Sequence, residues 1–224
     1  MRIPLPTVKA EVSGDTARLT DPGDRRGNVL LFLLAPIMVF TFAGGLTYAW
    51  LEIDEWLLLA FAVPLYLIGL LVLFKGFLPE WKKVNTFHPA VLEVRPWPIR
   101  LGESVTLRYT RQPRVAVEAR YVAAEAEVEE EASYTVGTET RTVSHTAWQQ
   151  ALDRVPQRGL RDMNEINAEW TLRIPDDGPA SFSSSHNEIG WTVTAEVHYD
   201  RGKSDDSTFT LLVLPQQAST ATDS

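Results

Sequence analysis

The residues that could do chemistry are few and badly spaced for it. The chain has four histidines, His88, His145, His186 and His198, and no cysteine. No two histidines have the i,i+4 or His-x-His spacing that holds a zinc ion. Without thiols there is no disulfide framework and no thiolate metal or redox site. Ser183-Ser184-Ser185-His186 sets a nucleophile type beside a base type. A working triad needs its members to converge with an orienting carboxylate, and no Gly-x-Ser-x-Gly elbow is present. Asp176-Asp177 and Asp205-Asp206 read first as turn formers, and the oxygen spacing of a calcium-binding helix–loop–helix is absent. No glycine-rich loop is built to cradle phosphate. Trp97, Trp170 and Trp191 are expected in a core or on a sheet rather than in a ligand cage. The reading is therefore a protein that is not an enzyme, with no catalytic, cofactor-binding or metal-binding residue.

The elements that would position any function fall into two kinds. Residues 28–78 hold two apolar runs, each over about 20 residues, the length that crosses a bilayer core. The short link Leu51-Glu52-Ile53-Asp54-Glu55 joins them. No charged side chain lies between Val29 and Tyr48 or between Trp56 and Phe74. A helix apolar on every face for so long is expected in lipid, so the run reads as a two-helix transmembrane hairpin. Tyr48, Trp50 and Trp56 at one end, and Phe77 and Trp81 at the other, suit interfacial aromatic belts. Pro36 and Pro64 are tolerated inside such helices. Arg25 and Arg26 precede the first span, Lys75, Lys82 and Lys83 follow the second, and the link is acidic. By the positive-inside rule both flanks face the cytoplasm, which gives a multi-pass protein of the inner (plasma) membrane. No ionisable group sits at membrane depth, so the hairpin reads as an anchor rather than a transport path. Gly45-x-x-x-Ala49 permits close backbone approach, either between the two helices or between copies as a homo-oligomer face.

The rest divides by composition. Residues 1–27 are polar, rich in turn formers and read as a disordered arm. Pro79 ends the second helix, and residues 79–89 read as a juxtamembrane linker in which Trp81, Lys82 and Lys83 sit at headgroup level. Residues 90–214 alternate apolar and polar positions with turn signals between them, and 215–224 read as a disordered tail. The net charge is −8, and an acidic domain without a basic stripe excludes nucleic acid as a partner.

Within 90–214, strands are predicted at 91–94, at 104–109 with Val105, Leu107 and Tyr109 on one face, and onward from Val115 through Val117, Ala119 and Tyr121. Glu125–Glu131 reads as a strand with a solvated acidic face or a charged loop. Residues 134–143 look like a strand around Gly137, 147–155 a strand or a short helix, and 156–167 a loop. Trp170, Leu172 and Ile174 face inward from the next strand. Residues 189–199 form a long alternating strand, 201–203 a hairpin turn, and 207–214 the last strand. Many short strands without helix alternation predict an antiparallel two-sheet sandwich of the immunoglobulin-like kind.

The segments Trp170-Thr-Leu-Arg-Ile-Pro-Asp-Asp-Gly-Pro-Ala-Ser-Phe182 and Ile189-Gly-Trp-Thr-Val193 resemble arrestin-like β-sandwiches, in which an alternating strand meets a proline corner, a Pro-x-Ser-Phe loop and a new strand. Leu101-Gly-Glu-Ser-Val105 is similar to the strand entry of such domains. With its membrane hairpin, the chain also resembles bacterial membrane proteins of unknown function that carry one such domain. The resemblance implies a protein-interaction fold, with partners docking on sheet edges or on the Pro179–Glu188 loop. It does not extend to that family's phosphate-sensing core or receptor-contact loops. The function expected is a membrane-anchored scaffold or adaptor. A membrane-tethered hydrolase using the loop around His186, and an outward-facing envelope or adhesion domain, are the alternatives.

Overall fold

The computed structural model describes residues 5–21, 25–53, 56–78, 81, 86–136, 139–157, 165–199 and 204–216. The chain forms two units, Met1–Pro22 with Pro89–Ser224, and Gly23–His88.

In the first unit, alternation of apolar and polar residues produces strands that bury one face. One sheet contains β1 (Ala10–Ser13), β2 (Thr16–Thr20), β3 (Val91–Arg95), β5 (Ser104–Arg111) and β8 (Ile166–Arg173), in that order. The second runs β11 (Ser204–Leu211), β10 (Asn187–Tyr199), β6 (Ala119–Val136), β7 (Glu139–Pro156), with the short β9 (Phe182–Ser183) also paired to β10. Neighbours in both sheets are antiparallel. A parallel bridge of β4 (Ile99–Arg100) and β12 (Val213–Leu214) completes the domain. Leu92, Val94, Val105, Leu107, Leu172, Trp191, Val193, Phe209 and Leu211 are almost fully removed from water, and burial of such apolar area is the main force holding the two sheets together.

The N-terminal arm is the first correction. Residues 10–20 are not disordered but form a hairpin that extends the first sheet. Gly14 takes the positive φ of 63° that the first position of a tight β-turn favours. Ala17 and Leu19 then bury their side chains, while β2 pairs with β3 from Ala17↔Val94 to Thr20↔Val91. A stretch with only a few apolar residues becomes ordered because an existing sheet supplies the other half of the core. The two-helix segment is thus inserted between adjacent strands of one domain.

Three strand readings also change. β6 begins at Ala119, and Val115 lies outside it, about half exposed. Residues 134–143 are not one strand but the facing ends of β6 and β7, with Val136 opposite Glu139; Gly137 and Thr138 are outside the described residues. Ala147–Val155 is strand, within β7. The expected turn at 201–203 and most of the loop at 156–167 lie outside the described residues.

In the second unit, α1 (Arg25–Ile53) and α2 (Trp56–Val72) continue into a π-helical turn at Leu73–Phe77. The segments Leu33–Ile53 and Trp56–Phe77 are long and apolar enough to cross a membrane. They pack tightly at Gly69, where an added Cβ would lie 2.9 Å from the Phe40 ring. The Thr47 and Tyr66 hydroxyls sit 3.3 Å apart, and Ala43 and Ala62 are fully buried. Gly45 does not serve this contact: nothing lies within 4 Å of a Cβ placed there. Asp54, Glu55, Pro79, Lys82 and Lys83 are outside the described residues.

Candidate interaction surface

The turn at 184–187 is a local structure. The Ser184 amide donates to the Asn187 carbonyl at 2.8 Å, and the Ser184 hydroxyl accepts from the Asn187 amide at 3.0 Å. These bonds close the β9–β10 hairpin, so Ser184 is used for its backbone-capping geometry. Ser185 and His186 project from the turn, exposed. The described structure brings no carboxylate hydrogen bond to either side chain, so the Ser-His juxtaposition stays a feature of sequence. His88 and His145 are exposed as well. His198 stacks on Tyr121 with ring centroids 4.4 Å apart and meets Glu196 at 3.0 Å. Among the described residues, no group of three His, Asp or Glu side chains is arranged to hold a metal ion.

Trp170 and Trp191 belong to the core, while Trp97 is half-buried in the bend between β3 and β4. Trp191 is fully buried and donates its indole N–H to the Pro179 carbonyl at 2.8 Å. Trp170 donates to the Asp153 carbonyl at 2.7 Å. Each satisfies its one polar atom while the ring fills the sandwich.

Glu125, Glu127, Glu129 and Glu131 lie on one face of β6. Ala124, Ala126 and Val128, which alternate with the first of them, are buried. The acidic run is therefore the outer side of a core strand, and cross-strand bonds hold it: Gln149 to Glu125 and Thr146 to Glu127, both 2.7 Å. Beyond Val128 the β6–β7 hairpin runs on with almost all of its side chains exposed. Tyr134 and Val143 stand there about half exposed.

One polar cluster was missed by sequence reading. Arg111 on β5 and Asp205 on β11 form an ion pair of 2.6 Å across the two sheets, with side chains 1% and 5% exposed. Arg111 also donates to the Ser207 hydroxyl at 3.4 Å. Tyr109 shares the inward face and packs edge-on against Phe209. Burial pushes the Tyr109 phenol above its ordinary pKa, against the opposing pull of the Arg111 cation. Burial also works against the Arg111 charge, but Tyr109, Asp205 and Tyr199 outweigh it and hold the guanidinium above its ordinary value. The signal was present in the pattern. Extending the 105-107-109 alternation by one step puts Arg111 on the core face, and the 205-207-209-211 alternation puts Asp205 there. Reading Asp205-Asp206 as a turn hid it. The cluster cross-links the sheets; it does not open into a cleft lined by reacting groups.

No family model and no curated protein matches this chain. Among solved structures it is similar to Spo0M, a sporulation control protein from Bacillus subtilis, with a TM-score of 0.39 and 13% identity over 55% of this chain and 47% of that one. It is also similar to the superoxide reductase neelaredoxin from Ignicoccus hospitalis, with a TM-score of 0.29 and 12% identity over 57% of this chain and 82% of that one. The chain spans about half the length of the sporulation protein. Likeness at this level carries no functional argument.

Proposed function

We propose that this chain is a membrane-anchored scaffold or adaptor that holds an arrestin-like β-sandwich at the cytoplasmic face of a bacterial inner membrane and binds protein partners there without catalysis. The observation that carries the reading is the insertion of the apolar helix pair between β2 and β3. Both flanks of the pair belong to one sheet, so both must lie on one side of any bilayer. An even number of spans meets that demand, and the arginines and lysines at the flanks favour the cytoplasmic side. Long exposed strand edges on the sandwich fit recognition by strand pairing or surface docking, and fold by itself leaves the partner open.

Reporter fusions before Arg25 and after Leu214 test the topology. Both should report the cytoplasm; an external signal at either would overturn it and favour the envelope or adhesion reading. Purification in mild detergent after crosslinking should recover a specific partner that is lost when the sandwich is deleted. The tethered-hydrolase alternative rests on Ser185 and His186. Alanine at both should leave cellular function intact, whereas complete loss in a folded variant would favour the enzyme.

A further inference from the structure

The strands of the sandwich run between two ends, and the chain departs for α1 and returns from α2 at the same one. Thr20 pairs with Val91, and Val91 with Thr110, so Asp21, Ala90 and Arg111 share that end. Three residues separate Asp21 from Arg25, the first of α1, and a chain that short spans at most about 15 Å. With Arg25 and Arg26 at the headgroups, this end of the sandwich is held within reach of the same lipid surface. Two segments expose apolar side chains there. The connection from β5 to β6 reads Gln112-Pro113-Arg114-Val115-Ala116-Val117-Glu118. Pro113 is buried, Ala116 is exposed, and Val115 is 49% exposed. The second segment precedes β1. Ala10 pairs with Leu19, so the residues before it run past Thr20 toward the same end. Thr7, Val8 and Lys9 line a groove with Thr20 and Asp21, and Leu5 just upstream is 42% exposed. Each segment carries a cation, Lys9 in one and Arg114 in the other. The Arg114 Nε is removed from water without a hydrogen-bond partner among the described residues. Of the acids at this end, Asp21 and Glu118 hold partners of their own, and Glu165 accepts from the Asn167 side chain at 3.4 Å.

We propose that this end of the sandwich is a second membrane contact, in which Val115, Ala116 and Leu5 enter the interfacial layer of the bilayer that the helices cross, while Arg114 and Lys9 meet lipid phosphates. The short tether selects lipid as the occupant, because it holds these side chains beside the surface at all times and removes most of the entropic cost of a separate encounter. Apolar side chains buried at the headgroup boundary and cations on anionic lipid act together in such contacts. The contact also fixes which end of the sandwich faces partners. β6 begins at Ala119, just past the loop, and runs to Val136, so the β6–β7 ribbon ends at the opposite end and stays open to a protein partner. The contact rests on the membrane-spanning reading of the helix pair and requires nothing of the partner's identity.

The chain has no cysteine, so single introduced cysteines can carry a spin label in the full chain, reconstituted in nanodiscs of phosphatidylcholine and phosphatidylglycerol. Collision of the label with oxygen, which concentrates in lipid, is compared with collision with a water-soluble nickel chelate. Leu67→Cys, at an exposed position of α2, marks lipid. Asp177→Cys, on an exposed turn at the opposite end of the sandwich, marks water. Labels at Val115→Cys and Leu5→Cys should shift from the Asp177 value toward the Leu67 value. Arg114→Glu together with Lys9→Glu should return both toward water, with an unchanged circular dichroism spectrum showing that contact and not fold was lost. Water-like collision at Val115 and Leu5, with Leu67 in lipid, would overturn the contact and leave the membrane-spanning reading standing. Water-like collision at Leu67 as well would remove that reading and the contact with it. Low collision with both reagents at Val115 would mean that protein covers the loop, which also overturns the contact. A lipid-like signal that survives both charge reversals would overturn the phosphate role of Arg114 and Lys9.

Discussion

The amide of Asp21 donates to the carbonyl of Ala90 at 2.9 Å, so the two-helix excursion leaves and re-enters the sandwich where these two residues meet. Thr20 and Val91 are the last paired positions before it. The excursion thus replaces an ordinary hairpin turn. Removing residues 23–88 and closing the gap with a short Asn-Gly turn should yield a soluble, cooperatively unfolding sandwich. Removing residues 1–88 should not, because β3 would keep β5 but lose β2 and leave Leu92 and Val94 beside an open edge. Circular dichroism and size-exclusion chromatography of the two products decide this.

The buried pair predicts an asymmetric mutational response. Asp205→Ala strands the Arg111 cation and should cost about 3–5 kcal/mol. The double change Arg111→Met with Asp205→Leu removes both charges and should recover most or all of that loss. Urea unfolding of the soluble sandwich reads both. Equal loss in the single and double variants would mean that packing, not charge, sets the response.

Tyr109 gives the alkaline limb its shape. Its folded pKa is raised by burial, so its contribution is fully present below the ordinary tyrosine value. It is lost as pH rises through the raised folded value, because the unfolded chain releases the proton more readily. Tyr109→Phe should make the alkaline fall of stability shallower while leaving the neutral-pH fold intact. An unchanged limb in denaturant titrations from neutral to high pH would contradict the assignment.

Gly102 sits at φ 82° in the turn before β5, and a Cβ there would collide with the Asp176 carboxylate. Glu103 holds the same turn by accepting the Arg100 amide through its side chain at 3.0 Å. Gly102→Ala should therefore destabilise by about 1–3 kcal/mol or more, read as a lowered unfolding midpoint. Wild-type stability would show that the turn relaxes freely.

The helix pair should tell its two glycine faces apart. Gly69→Val drives a side chain into Phe40 and should push the helices apart, while Gly45→Val meets open space and should leave the pair unchanged. The chain has no native cysteine, so spin labels on introduced cysteines, one per helix, read the separation directly. If Gly45→Val instead abolishes a concentration-dependent dimer in detergent, the Gly45 and Ala49 face is the homo-oligomer contact anticipated from its spacing.

Sequence alone determined what depends on local pattern. Length and hydropathy fix the two apolar helices, because every face of each is apolar whatever it packs against. Period-two alternation fixes most strands and their inward residues, including Trp170, Leu172 and Ile174, because a strand's side-chain direction is set by its own backbone. Only the tertiary structure decided matters of partnership. Residues 10–20 lack enough apolar surface to order themselves, and it takes β3 to make them a hairpin. Ser185 and His186 look alike in sequence whether they meet a carboxylate or stand on an exposed turn. Arg111 and Asp205 are nearly a hundred positions apart, so their pairing exists only once the two sheets face each other.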